Sequence, residues 1–151
     1  MDKMTPSNKI KPSNLDATAF PQLLASIDMG SNSFRLEIAE LSKGRYKRVD
    51  YLKETVRLGA GLDANGLLTE EATQRGLACL ARFAQRLKGF ASWQVRAVAT
   101  QTLREAKNRD AFLARADRTL GHPIEVIAGR EEARLIYQGV DVCNPASCRA
   151  W

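Results

Sequence analysis

The sequence has no long hydrophobic run. No stretch approaches the ~20 apolar residues that span a bilayer, and the first nine residues, MDKMTPSNK, lack the apolar segment of a secretory signal. The expectation is a soluble cytoplasmic protein with no membrane partner. Histidine is almost missing: His122 stands alone, followed by Pro123 in a turn-like setting, and is expected to be a solvated loop residue, not a catalytic base. Cysteine is scarce as well. An odd count of 3 without a signal argues against a disulfide framework. Cys143 and Cys148 have no second Cys/His pair to complete a zinc site, and Cys79 falls in a helical pattern as a small core residue. Aromatics reach only 7% and are not interleaved with a long basic run, which argues against a nucleic-acid partner. There is no internal repeat.

What remains is ordinary globular material. A chain of 151 residues with 44% hydrophobic and 26% charged residues is one domain's worth, with enough apolar content for a core. The net charge is +6. Such a balance attracts polyanions such as nucleic acid, anionic lipid, nucleotides or polyphosphate, or, if the charge is scattered, only aids solubility.

Residues 1 to 20 are polar, rich in Pro, Ser, Asn and Lys, and lack periodicity, which predicts a disordered N-terminal tail. Leu23 to Ile27 is a short apolar run suited to a buried strand. The turn cluster Asp28 to Ser33 follows. Phe34, Leu36 and Ile38 then alternate with Arg35, Glu37 and Ala39, a period of two that predicts a second strand. After the Ser42-Lys43-Gly44-Arg45 connection, Tyr46 to about Arg57 returns as a third strand, completing an antiparallel meander. The glycine-rich Leu58 to Gly66 cannot be a regular element. Thr69 is a good N-cap for a helix carrying Leu77, Leu80, Phe83 and Leu87 on one face, with Gly89 as its stop. Gly76 inside that helix costs ~1 kcal/mol relative to Ala, which suggests close packing there. Val95 to Thr100 is β-prone. Asn108 is placed to cap a helix that ends at Gly121, Ile124 to Ala128 is a further strand, and Gly129 to Gly139 a third helix. The order β-β-β-α-β-α-β-α predicts an α/β fold: a mixed sheet with helices on its faces, its later strands parallel.

Open α/β sheets bind ligands at the carboxyl ends of their strands, and three polar clusters fall at such ends. Asp28, Gly30, Ser31, Asn32 and Ser33 offer a carboxylate, hydroxyls and turn amides that can converge on an anion. An ordinary hairpin turn would look the same. Arg104, in Thr100-Gln101-Thr102-Leu103-Arg104, could grip phosphate with its planar fork, or be a surface arginine near a helix start. Glu131 and Glu132 lie in the first turn of the third predicted helix. There an ionised carboxylate can orient water or take its proton, although two first-turn glutamates also serve as plain capping residues. Adjacent helical residues point about 100° apart, so one of the two glutamates can face a given cleft. Together the clusters form equipment for phosphate-bond hydrolysis, in which positioning and charge stabilisation carry most of the catalysis.

The stretches Asp28–Phe34, Ala99–Arg104 and Gly129–Val140, with Glu54–Leu62 and the Arg75-Gly76-Leu77 step, resemble the N-terminal half of the exopolyphosphatase / guanosine pentaphosphate phosphatase family (Ppx/GppA). The resemblance runs from about Leu23 to Val140. It implies the first domain, residues 21–140, of an actin-like ATPase (ribonuclease H-like) fold. It makes Asp28 to Ser33 the first phosphate loop, Arg104 a substrate-phosphate ligand, and Glu132 the general base acting on the hydrolytic water, with Glu131 in support. The implied reaction releases terminal phosphate from linear polyphosphate, toward which this reading leans. The implied alternative removes the 5′ γ-phosphate of guanosine pentaphosphate. Mg2+ is implied by the resemblance and by no ligand cluster in the sequence. Homodimers are likewise implied for full-length members. One departure stands out. The family continues to a second phosphate loop, Asp-x-Gly-Gly-Gly-Ser-Thr, whereas Val140 is followed here by DVCNPASCRAW. The expectation is a truncated or frame-shifted product whose residues 141–151 are an out-of-family tail, with weak hydrolysis or none. A non-catalytic polyphosphate or nucleotide binder is the competing class.

Overall fold

The alternation of Ala25, Ile27 and Met29 with polar neighbours, repeated in Phe34, Leu36 and Ile38, is the pattern of strands with one buried face. In the computed structural model, which describes residues 22–128, those six side chains enter the core. They belong to β1 (Gln22–Met29) and β2 (Ser33–Ser42), which pair antiparallel, and β3 (Arg45–Thr55) pairs antiparallel with β2. Lys43 and Gly44, both at positive φ, make the tight β2–β3 turn, where such backbone is required. A register shift between Ile38 and Ala39 lets Val49 bulge from β3.

Chain order then alternates as the sequence predicts. Helix α1 (Glu70–Arg86) starts at Thr69, whose hydroxyl accepts from Ala72 N at 3.3 Å. Strand β4 (Val95–Ala99), helix α2 (Gln101–Glu105), helix α3 (Arg109–Leu120) and strand β5 (Ile124–Val126) follow. Sheet order is β3-β2-β1-β4-β5, with β1, β4 and β5 parallel. One core joins the buried face of the sheet to α1 and α3 through Cys79, Leu80, Phe83, Phe112 and Ala116. Gly76 is where the two helices meet: a Cβ there would lie 3.3 Å from the Phe112 ring. The opposite face carries Ser26, Asp28, Arg35, Glu37 and Arg96. No helix among the described residues is long and apolar enough to cross a membrane.

Two expectations change and one element is added. The sequence assigns no element to the Thr100–Arg104 cluster, yet Gln101–Glu105 winds into α2 once Thr100 N is fixed on Met29 O at 3.3 Å. Asn108 stands at the N-cap position of α3 without capping it. Its amide instead pairs with the backbone of Leu68, accepting from N at 2.9 Å and donating to O at 3.1 Å. His122 is not solvated but 8% exposed, with an Nδ1 that has no partner among the described residues. The turn that buries it is drawn in where Ile124 N donates to Asp117 Oδ1 at 3.0 Å. The predicted N-terminal tail, the helix at 129–139 and the tail at 141–151 lie outside the described residues.

Candidate functional site

Met29, Ala99 and Val126 are aligned in register across β1, β4 and β5. Because these strands are parallel, the segments that leave them emerge on one edge of the sheet, where open α/β sheets hold their ligands. After β1 comes the bend. Its strands extend further than the sequence suggests: Asp28 is the penultimate residue of β1 and Ser33 opens β2, leaving Gly30, Ser31 and Asn32 outside regular structure. Asp28 is exposed on the face opposite the core, cross-strand from Arg35 and beside Val98.

The bend is held from the inside. Gly30 N donates to Ser33 O at 3.1 Å, and a Cβ on Gly30 would meet that oxygen at 3.0 Å. Ser31 O accepts from Gly59 N at 2.8 Å, and Asn32 O accepts from both Val56 N and Arg57 N, at 2.9 and 2.8 Å. A trans peptide sets its C=O and N–H in opposite directions. With the carbonyls of Ser31 and Asn32 turned onto residues 56–59, the amide N–H groups of Asn32 and Ser33 point away from that segment. Adjacent outward amides are the elements of an anion nest. Ser31 Oγ is fixed by Thr102 Oγ1 at 2.9 Å, a bond that ties the bend to α2.

On the β5 side, Ile127 N donates to Ala99 O at 3.0 Å, and Arg104 Nη1 donates to Ile127 O at 2.7 Å. Arg104 is thus brought to the predicted edge, partly buried, with one donor engaged on the backbone that leaves β5. The structure therefore brings together the bend and Arg104. Glu131 and Glu132 lie outside the described residues.

Residues 37–149 match the model of the Ppx/GppA phosphatase family. The chain belongs to that family. It is 46% identical over 126 residues to the guanosine-5'-triphosphate,3'-diphosphate pyrophosphatase of Aliivibrio fischeri (strain MJ11), a match covering 83% of this chain and 25% of that protein. The protein of the same name from Vibrio vulnificus (strain YJ016) is 49% identical over 118 residues, covering 78% of this chain and 24% of its own length. The chain therefore spans about a quarter of the length of these curated relatives. Among solved structures, an exopolyphosphatase from Cytophaga hutchinsonii ATCC 33406 superposes with a TM-score of 0.76 at 35% identity, over 82% of this chain and 40% of that one. The Aquifex aeolicus Ppx/GppA family member gives 0.74 at 33% identity, over 81% and 40%. The expected actin-like α/β fold is the fold observed.

Two supports of this Ppx/GppA edge receive no role in a reading of sequence clusters. Thr102 and Gly59 both anchor Ser31, and a Cβ on Gly59 would sit 3.1 Å from that of Ser31. The glycine-rich run Leu58–Gly66 is the signal for the second of them. A spacing argument has no counterpart for the first, since Thr102 meets Ser31 across 71 positions. Among the described residues no group of three His, Cys, Asp or Glu could hold a metal ion.

Proposed function

We propose that this chain carries a phosphate-gripping wall of a phosphoanhydride hydrolase. The carrying observation is the bend itself: its carbonyls are committed inward to residues 56–59, so the Asn32 and Ser33 amides are left to face an anion. In this reading the two amides and the Ser31 hydroxyl hold oxygens of a terminal phosphoryl group. Donors already fixed in place stabilise charge that grows in the transition state without reorganising. Arg104, braced by its bond to Ile127 O, offsets charge on the same phosphate. Gly30 lets the loop close tightly onto Ser33 O, and Asp28, the penultimate residue of β1, is its acidic entry. Glu132 is assigned as general base: it takes a proton from water as the water oxygen bonds to the terminal phosphorus. The P–O bond to the rest of the phosphate chain breaks, and the bridging oxygen leaves with that chain.

The favoured substrate is guanosine 5′-triphosphate 3′-diphosphate, because the relatives that are 46% and 49% identical carry that name. Linear polyphosphate, toward which the sequence leaned, is the second reading, supported by likeness to the Cytophaga exopolyphosphatase and by the +6 charge. Both end in the phosphoanhydride that the bend would hold. The test is calorimetric binding of each compound beside a phosphate-release assay, on the native chain and Glu132→Gln. The expected result is binding that survives the substitution, and weak release by the native chain that does not. Release unchanged in Glu132→Gln would remove the base from the account. Failure of both compounds to bind the native chain would remove the account.

A further inference from the structure

Only two described residues other than glycine adopt a positive φ, Lys43 and Arg57. Lys43 is explained by its hairpin, where it and Gly44 form the two-residue turn between β2 and β3. Arg57, at φ 52°, has no such turn to serve. Elsewhere the chain places glycine where this backbone is needed, at residues 44, 66, 89 and 121. An arginine kept in a conformation that glycine would adopt without strain points to a use for its side chain.

The backbone around it is fixed on every side. Val56 and Leu58 are 3% and 1% exposed, so two buried anchors flank an exposed Arg57. The N–H groups of Val56 and Arg57 share the Asn32 carbonyl. Arg75 spans both carbonyls, with Nε 3.0 Å from Val56 O and Nη2 3.3 Å from Arg57 O. These bonds engage only the main chain of Arg57. Its guanidinium has no hydrogen-bond or ion-pair partner among the described residues, whereas Arg82, Arg86 and Arg115 each hold a carboxylate. Position completes the case. The bend lies between β1 and β2, Arg57 follows β3 on one side of it, and Arg104 follows β4 on the other.

We infer that Arg57 is a second phosphate-holding arginine, contacting a phosphoryl oxygen of a triphosphate or longer phosphate chain seated at the bend. This rests on the phosphate reading of the bend given above. The nest amides face away from residues 56–59, so Arg57 takes a phosphate further along the chain than the one at the amides; arginines on either side of the bend suit a substrate with successive charged phosphates, because planar forks bind such oxygens two at a time.

The experiment is calorimetric titration of the 151-residue chain with inorganic tripolyphosphate, with thermal unfolding of every variant. Arg57→Gln removes the charge and keeps the strain. Arg57→Gly removes the charge and relieves the strain. Both are expected to weaken tripolyphosphate binding about tenfold or more, as loss of a charge-assisted contact does. Arg57→Gly should melt no lower than the native chain, so a purely structural role would not reproduce the pattern. Arg45→Gln, at the far end of β3, removes the same charge and should bind like the native chain. Native-like binding by both Arg57 variants overturns this inference alone. An equal loss in Arg45→Gln also overturns it, by making the effect one of net charge. A native chain that does not bind tripolyphosphate overturns the phosphate reading, and the role of Arg57 falls with it.

Discussion

Single atoms decide much of the site's support. Gly61 has no room for a methyl group, because an added Cβ would collide with that of Ala72 in the first turn of α1. Gly61→Ala is expected to cost about 1–3 kcal/mol, as overpacking does, and a urea melt would measure it. Asn108 offers a second case. Its two bonds to Leu68 give the 62–68 loop the backbone pairing a strand would otherwise supply. Asn108→Ala removes both and leaves Leu68 N and O to find water, with an expected loss of about 2 kcal/mol, again read by denaturant unfolding. A helix cap lost on its own would cost about 1 kcal/mol. The sequence marks Asn108 as special but gives the wrong reason, since a capping asparagine and one that bonds a residue 40 positions away look identical in a string. His122 misleads in the same way. A histidine before proline in a turn reads as solvated, and only the return of the chain into β5 buries it.

At the scale of elements, the apolar periods were the legible part. The alternation in β1 and β2, the Thr69 cap and the left-handed Gly121 at the end of α3 each follow from local rules and are found where those rules put them. The α2 turn was not legible, because five residues carry no period and the turn depends on Thr100 being fastened to β1. The packing of α1 on the meander adds a pH dependence. Arg82 holds Glu54 of β3 with bonds of 2.7 and 2.6 Å. That fork is the main reason Glu54 lies below the ordinary carboxylate range. Burial opposes it, and the nearby Cys79 thiol adds to it. Burial, with Glu54 beside it, pushes the Cys79 thiol well above its usual value. For a carboxylate lowered on folding, the stabilisation is fully present above its unfolded pKa of about 4.3 and is lost as pH falls through the folded value. Both partners are partly exposed, so the contribution stays below ~1 kcal/mol. Thermal midpoints between pH 6 and pH 3 should fall less steeply in Glu54→Gln than in the native chain; parallel curves would contradict this. The α1–α3 contact gives a sharper outcome. Gly76→Leu drives a side chain into Phe112 and Leu58, and an expected loss of about 2–3 kcal/mol should appear in chemical unfolding.

At the scale of the whole molecule, the sheet places a ligand edge before any ligand is considered. Three parallel strands end in register, and the bend after β1, α2 after β4 and the backbone after β5 are bonded to one another there. The sequence indicated the clusters and their strand ends. It could not indicate the inward commitment of the bend's carbonyls, which depends on residues 56–59 arriving from the far side of β2. In the proposed reading this edge receives a terminal phosphoryl group. The direct measurement is a heteronuclear NMR titration of the chain with tripolyphosphate, following backbone amides. Saturable shifts are expected, concentrated at Asn32 and Ser33, with smaller ones at Ser31 and Gly59. Shifts confined to the exposed basic strand β3, or spread over the surface without saturation, would contradict it.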